Sequence, residues 1–149
     1  MSAVIFLDTG PLGVLSSPLN TPTIVQARGW LGELQAAGRQ VIVPEITDYE
    51  LRRELLRAGK KRGIKNLNQL GRRLEYLPVT TDAFRKAAEL WASARKQGKP
   101  TAPDRDLDAD VILAAQALTY GAPPVLIATT NLAHFIPFVP AELWENITP

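Results

Sequence analysis

The sequence predicts an α/β fold, a parallel sheet sandwiched by helices, on three observations. Short apolar runs, Val4 to Leu7, Val41 to Val43 and Val125 to Ala128, alternate with longer stretches of helical periodicity. This is the trace left by strands buried on both faces and joined by right-handed helical crossovers. Each run also ends at polar residues: Leu7 meets Asp8-Thr9-Gly10-Pro11, Val43 leads through Pro44 and Glu45 to Glu50, and Ala128 opens into Thr129-Thr130-Asn131. Open α/β sheets place their chemistry at the carboxyl ends of their strands, so these polar residues are candidates for function. Finally, 149 residues suit one compact domain, 1–149, that buries roughly two thirds of its unfolded surface, and the chain has no internal repeat or low-complexity segment.

The elements follow in order. Val4 to Leu7 is the first strand and delivers Asp8 to the sheet edge, with Gly10-Pro11 as the turn after it. Ser16 to Thr23, rich in Pro, Ser and Thr, reads as a loop; Ile24, Val25, Ala27, Leu31 and Leu34 then recur at helical spacing until Gly38. Val41 to Val43 is the second strand, followed by a helix through Leu56, a basic turn from Gly59 to Gly63, and a helix from Asn66 to Leu74. Tyr76 to Val79 reads as a short third strand. Thr81-Asp82 opens a helix with Phe84, Ala87, Ala88, Trp91 and Ala94 on one face, and Lys96 to Asp104 is a polar connection containing proline. Asp106 to Tyr120 is apolar nearly all round, as befits a helix packed inside, and Gly121 stands at its C-cap. Val125 to Thr129 is the fourth strand. The stretch after Phe138 is too short to assign. Trp30 and Trp91 read as core or interface anchors.

Composition narrows the chemistry. Hydrophobic content of 46% and charged content of 21% are those of soluble globular proteins. The apolar run from Ala3 to Leu7 lacks a basic flank and is far too short for a signal peptide or a spanning helix, which makes no membrane association and a cytoplasmic address the expectation. Without cysteine there is no disulfide, no thiol nucleophile and no sulfur-held zinc. One histidine, His134, cannot build a histidine-based zinc site, and it reads as a surface group or a support to other ligands. Any metal would therefore be a hard cation on oxygen ligands. The net charge of +2 is unevenly spread: nine of the 17 basic residues lie between Arg52 and Arg73, against the single acid Glu54. Such a block suits phosphate neutralisation, and equally a solvated helix face.

The carboxylates carry the argument further. Asp8 is a natural turn starter, but an acid at the end of a buried strand also calls for positive charge nearby. Glu50 has two readings: Thr47-Asp48-Tyr49-Glu50 matches a capping box in which Glu50 serves the backbone of Thr47, whereas a helix starting at Pro44 would put Glu50 on its second turn, free to face the sheet's carboxyl edge. Asp106 and Asp110 are four apart and share a helix face, while Asp108 points away and suits a capping role. Two carboxylates ~4 Å apart repel by about 4 kcal/mol at an effective dielectric near 20, so three at one edge imply a divalent cation. Mg²⁺ or Mn²⁺ on such ligands activates water and supports in-line phosphoryl displacement.

Four segments, Phe6-Leu7-Asp8-Thr9-Gly10-Pro11-Leu12, Ile46-Thr47-Asp48-Tyr49-Glu50-Leu51, Asp110-Val111-Ile112-Leu113-Ala114-Ala115-Gln116-Ala117 and Thr129-Thr130-Asn131-Leu132-Ala133-His134-Phe135, together resemble the PIN domain, in particular the ribonuclease toxins of VapBC toxin-antitoxin pairs. None is specific alone; their order and spacing are. The resemblance implies a three-layer α/β/α sandwich around a parallel sheet of four to five strands, and metal-dependent cleavage of RNA. It assigns the acidic positions to Asp8, Glu50 and Asp110, with Thr9 and Asn131 lining the pocket. Where many relatives carry a fourth acid this chain has Asn131 and His134, so either Asp106 or Asp108 substitutes or a second metal is weak.

The expected function is a Mg²⁺- or Mn²⁺-dependent endoribonuclease, the toxin partner of a small antitoxin protein and a homodimer, with Arg52, Arg53, Lys60, Lys61 and Arg62 contacting the RNA backbone. The alternative is a non-catalytic RNA-binding or scaffold protein of the same fold. A phosphotransferase using Asp8 as nucleophile is disfavoured, because Gly10 stands where a second Asp would be wanted.

Overall fold

The computed structural model describes residues 2–98, 104–121 and 124–149, with backbone alone for 104–106. The order is β1 (Val4–Leu7), α1 (Thr9–Ser16), α2 (Pro22–Ala36), β2 (Val41–Pro44), α3 (Glu45–Arg57), α4 (Lys61–Arg73), β3 (Glu75–Leu77), α5 (Thr81–Lys96), α6 (Asp104–Leu118), β4 (Val125–Thr129) and β5 (Ala141–Leu143). All strand pairs are parallel, in the order β3-β2-β1-β4-β5. The sequence moves outward from β1 through β2 to β3, then returns to the other side of β1 with β4. The cleft between the ends of β1 and β4 is therefore the topological switch point, where such sheets bind ligands.

Alternation along the strands builds the three layers. Ile5 and Leu7, Val41 and Val43, and Ala128 turn to one face, where they pack with Leu12, Leu15, Trp30, Leu34 and Leu67 of α1, α2 and α4. Val4, Phe6, Ile42 and Ile127 turn to the other face and meet Leu113, Ala114 and Ala117 of α6, while Phe135 and Val139 close the end. Behind α6, Ala83 and Ala87 of α5 pack on Leu107, Val111 and Ala115. The three-layer α/β/α sandwich expected from the sequence is thus present, with the larger number of strands.

Several elements differ from the sequence reading. Gly10-Pro11 is not a turn: Asp8 caps a short helix, α1, whose first backbone bond runs from Leu12 N–H to the Asp8 carbonyl at 3.0 Å. Proline is tolerated there because the first-turn amides have no helical partner to lose. The basic turn expected over 59–63 is shorter, since Lys61 and Arg62 already belong to α4. Gly63 serves helix packing instead; a Cβ on it would stand 3.0 Å from Leu55 Cδ2 of α3. Helix α6 starts at Asp104, so Asp108 lies in its second turn rather than at its cap. The short third strand begins at Glu75 and ends at Leu77. β5, unassigned from sequence, pairs Ile127 with Ala141 and Thr129 with Leu143, and Trp144 follows it into the core beside Trp30. Trp30 is the buried anchor expected, with its indole N–H donating to the Ile147 carbonyl at 2.9 Å.

Candidate active site

Asp8 ends β1 and caps α1, which leaves its carboxylate at the switch point with both oxygens engaged. Oδ1 accepts from the Thr9 amide at 2.8 Å, and Oδ2 accepts from the Thr129 hydroxyl at 2.7 Å. Thr129 is fully buried at the end of β4, the strand alongside β1. Burial pushes the Asp8 carboxyl above its ordinary value, and the bonds from Thr129 and Thr9 and the nearby His134 ring only partly oppose this. Asp8 is therefore an acid whose negative charge the fold tolerates at a cost. Close packing holds the segment in place: a Cβ on Gly10 would stand 2.7 Å from Thr130 Oγ1.

Glu50 arrives by the second of its two sequence readings. Helix α3 starts at Glu45, directly after β2, and Thr47 is inside it. The Thr47 hydroxyl donates to the carbonyls of Leu7 and Pro44, both at 3.0 Å, so no capping box with Glu50 forms and α3 is pinned to the end of β1. Glu50 then sits on the second turn, where its Oε1 accepts from the Thr9 hydroxyl at 2.8 Å. Gln116 supports this start from α6: its amide donates to the carbonyls of Leu77 and Pro78 at 2.9 and 3.2 Å and accepts from Ile46 N–H at 3.4 Å. A glutamine in the otherwise apolar second half of α6 was the sequence signal for that role.

Asp110 is buried on α6, and its Oδ2 lies 3.2 Å from His134 Nδ1. His134 Nε2 in turn lies 3.0 Å from the Asn131 amide nitrogen, and the Asn131 backbone N–H donates to Thr129 Oγ1 at 2.9 Å. A continuous set of contacts therefore joins Asp110 through His134, Asn131 and Thr129 to Asp8, and Thr9 joins Asp8 to Glu50. Among the described residues Asn131 meets His134 and Thr129. Thr129, which does touch Asp8, had no assigned role in the sequence; its place at the end of the strand beside β1 is what makes the contact. Asp108 is exposed in the groove between α5 and α6, beside Phe84, Trp91 and Ile112. Asp106 shares the helix with Asp110, but its side chain lies outside the described residues. Among the described residues, no three His, Asp or Glu side chains stand together closely enough to hold a metal by themselves.

The basic residues separate into two groups. Arg52 is committed to Asp48, with Nε 3.2 Å from Oδ2 and Nη2 3.0 Å from Oδ1. Tyr76 donates to the same carboxylate at 3.3 Å, and its phenol is pushed up to about 12 by burial and by the acids Asp48 and Glu45. Arg53 lies over the Tyr49 ring at 5.1 Å, with Nη2 4.0 Å from Glu50 Oε2. Lys60, Lys61 and Arg62 are exposed and line an apolar hollow of about 490 Å³ together with Gly13, Leu19 and Leu55. Among the described residues no helix is long and apolar enough to cross a membrane.

Solved structures share this architecture over nearly their whole lengths. The VapBC2 complex of Rickettsia felis bound to a promoter DNA fragment aligns with a TM-score of 0.73 at 18% identity, covering 93% of this chain and 97% of that one. FitAcB of Neisseria gonorrhoeae aligns with a TM-score of 0.63 at 24% identity, over 97% and 100% of the two chains. DNA-bound VapBC of Salmonella typhimurium aligns with a TM-score of 0.63 at 25% identity, over 96% and 99%. No curated protein sequence matches significantly. The family model for the PIN domain matches residues 5–134, a span that takes in Asp8, Glu50, Asp110 and His134, and the chain belongs to the PIN domain family.

Proposed function

We propose that this chain is a metal-dependent endoribonuclease and the toxin of a VapBC-type pair. One observation carries the reading: Asp8, Glu50 and Asp110, from three separate chain segments, are drawn into one set of contacts at the switch point. A structural role alone does not call for three acids there, and Asp8 is held against the cost of its own burial.

The donor set suits a hard cation: it offers carboxylate and hydroxyl oxygen, with no sulfur. Mg²⁺ commonly binds through one or two carboxylates and completes its shell with water and substrate phosphate, so a ready-made cluster of three is not required. Asp8 and Asp110 would hold the ion, with Glu50 as the third ligand, directly or through water. When bound, it supplies an activated water and neutralises charge on the phosphoryl group being displaced. Thr9 orients Glu50, and Thr129 orients Asp8. Asp106 is the remaining acid on the Asp110 face and the candidate for a further ligand.

Glu50→Gln tests this directly. The amide oxygen can still accept from the Thr9 hydroxyl, so the fold and its melting temperature should persist while the charge is lost. Cleavage of single-stranded RNA in Mg²⁺ or Mn²⁺ should fall at least about tenfold, the scale of 1.4 kcal/mol. Unchanged cleavage would return Glu50 to a structural role. The other reading is a non-catalytic RNA-binding or scaffold protein of the same fold. Wild-type protein that binds RNA without metal-dependent turnover would establish it.

RNA backbone contact falls mainly to Lys60, Lys61 and Arg62, with Arg53 beside Glu50, since Arg52 is neutralised by Asp48. Neutral substitutions at the three exposed residues should weaken RNA binding and lower its salt slope by nearly one for each phosphate no longer neutralised. Arg52→Ala should instead lower thermal stability, by leaving the buried Asp48 short of its partner. An unaltered salt slope would make the three residues an antitoxin surface, because they also line the apolar hollow beside α1. That hollow suits an antitoxin peptide. Exposed Phe84 and Trp91 on α5 give a second copy of the chain an apolar face, and a cytoplasmic location agrees with both partners.

A further inference from the structure

His134 is the chain's only histidine, and the contacts between Asp8 and Asp110 run through it. The short 3-10 turn Leu132–His134, anchored by the fully buried Phe135 next to it, brings the Asn131 amide to the ring. An amide nitrogen donates and does not accept, so the 3.0 Å approach of Asn131 Nδ2 makes His134 Nε2 the acceptor. In a neutral imidazole the remaining ring proton then sits on Nδ1, which approaches Asp110 Oδ2 to 3.2 Å without the alignment of a full hydrogen bond. Asn131 is itself fixed to Thr129, and Thr129 to Asp8.

We propose that His134 is a positioning residue: as the Nδ1–H tautomer braced by Asn131, it holds the Asp110 carboxylate in register with Asp8. The proposal builds on the metal-dependent reading above. A donor held within 3.2 Å of one oxygen narrows the rotation of the carboxylate before a cation arrives, so less of the binding energy goes into ordering the ligand. A neutral ring also adds no negative charge. A further acid at this position would add its own repulsion with Asp8 and Asp110, whereas the imidazole links them without it.

A single histidine makes the test clean, because the imidazole nitrogen NMR spectrum contains one pair of signals. In metal-free protein under mildly alkaline conditions, Nδ1 should carry the proton and Nε2 should appear as the unprotonated acceptor, and Asn131→Ala should let the two tautomers mix. A wild-type ring protonated on Nε2 would overturn the proposal. Mn²⁺ affinity, followed by electron paramagnetic resonance, gives a second readout that does not depend on RNA cleavage. His134→Ala should weaken binding by about tenfold or more, the usual effect of losing a group that orients a ligand. His134→Asn should recover most of the loss, since its amide nitrogen is as many bonds from Cα as Nδ1. His134→Gln, whose nitrogen matches Nε2, should not. Equal Mn²⁺ affinity in all four folded proteins would also overturn the proposal. Wild-type protein that binds no Mn²⁺ would sink the metal reading, and the tautomer result would still decide whether His134 braces Asp110.

Discussion

Asp8→Asn should reduce RNA cleavage at least about a hundredfold while leaving the protein no less stable at neutral pH. A bound cation is worth several kcal/mol to a phosphoryl-transfer transition state, and each 1.36 kcal/mol is tenfold in rate, so losing a carboxylate ligand has a large effect. The fold loses little. Asn caps a helix about as well as Asp, and its oxygen can still accept from the Thr9 amide. Its amide group faces Thr129, whose hydroxyl must then turn from donor to acceptor.

The same substitution should change how stability depends on pH. Burial raises the Asp8 carboxyl above 3.8, so folding favours its protonated form. For an acid raised in this way, stability is fully present below the ordinary value of 3.8 and is lost as pH climbs through the raised one. Metal-free wild type should therefore gain stability relative to Asp8→Asn as pH falls through that window, by at most about 1.4 kcal/mol per pH unit. Added Mg²⁺ or Mn²⁺ should reverse the order at neutral pH, because a ligand that binds only the folded state stabilises it by mass action. Parallel melting curves for the two proteins at every pH, with and without metal, would remove Asp8 from the metal site.

The sequence was most legible where burial is two-sided. Runs such as Val4 to Leu7 and Val125 to Ala128 are apolar without interruption because helices cover both faces, and the polar residues after them mark the carboxyl edge of the sheet. Legibility failed where two local signals compete. Gly10-Pro11 is a turn by composition and a helix start by context, and only the position of Asp8 above α1 decides between them. Thr47 to Glu50 satisfies the spacing of a capping box, yet the Thr47 hydroxyl is claimed by the Leu7 carbonyl, a partner forty residues away in the chain. Contacts of that kind leave no periodic trace. The same holds for Arg52, which reads as a free cation in a basic block until Asp48, one helical turn earlier on a buried face, proves to hold it. His134 marks the limit most clearly: its identity was visible in the sequence, and its link to both Asp110 and Asn131 depends on how the turn after β4 meets α6.

Induced alone in a bacterial host, the wild-type chain should arrest growth, and the Asp8→Asn chain at equal abundance should not. An endoribonuclease that is not restrained depletes an RNA the cell needs, and the outcome depends on turnover rather than on binding. The Asp8→Asn chain keeps Lys60, Lys61, Arg62 and the apolar hollow, so any harm from sequestering RNA or host proteins would appear in both chains. An antitoxin should restore growth by occupying that hollow with apolar side chains. It would gain further from acidic groups opposite the three cations, or from a cationic side chain placed among Asp8, Glu50 and Asp110. Substituting Leu19 by a charged residue should then spare toxicity but defeat rescue, because Leu19 lines the hollow, is exposed and lies outside the set of contacts that joins the acids. Growth that continues equally with either chain would end the toxin assignment and leave a non-catalytic RNA-binding role. Rescue that survives a charge at position 19 would move the antitoxin to another surface.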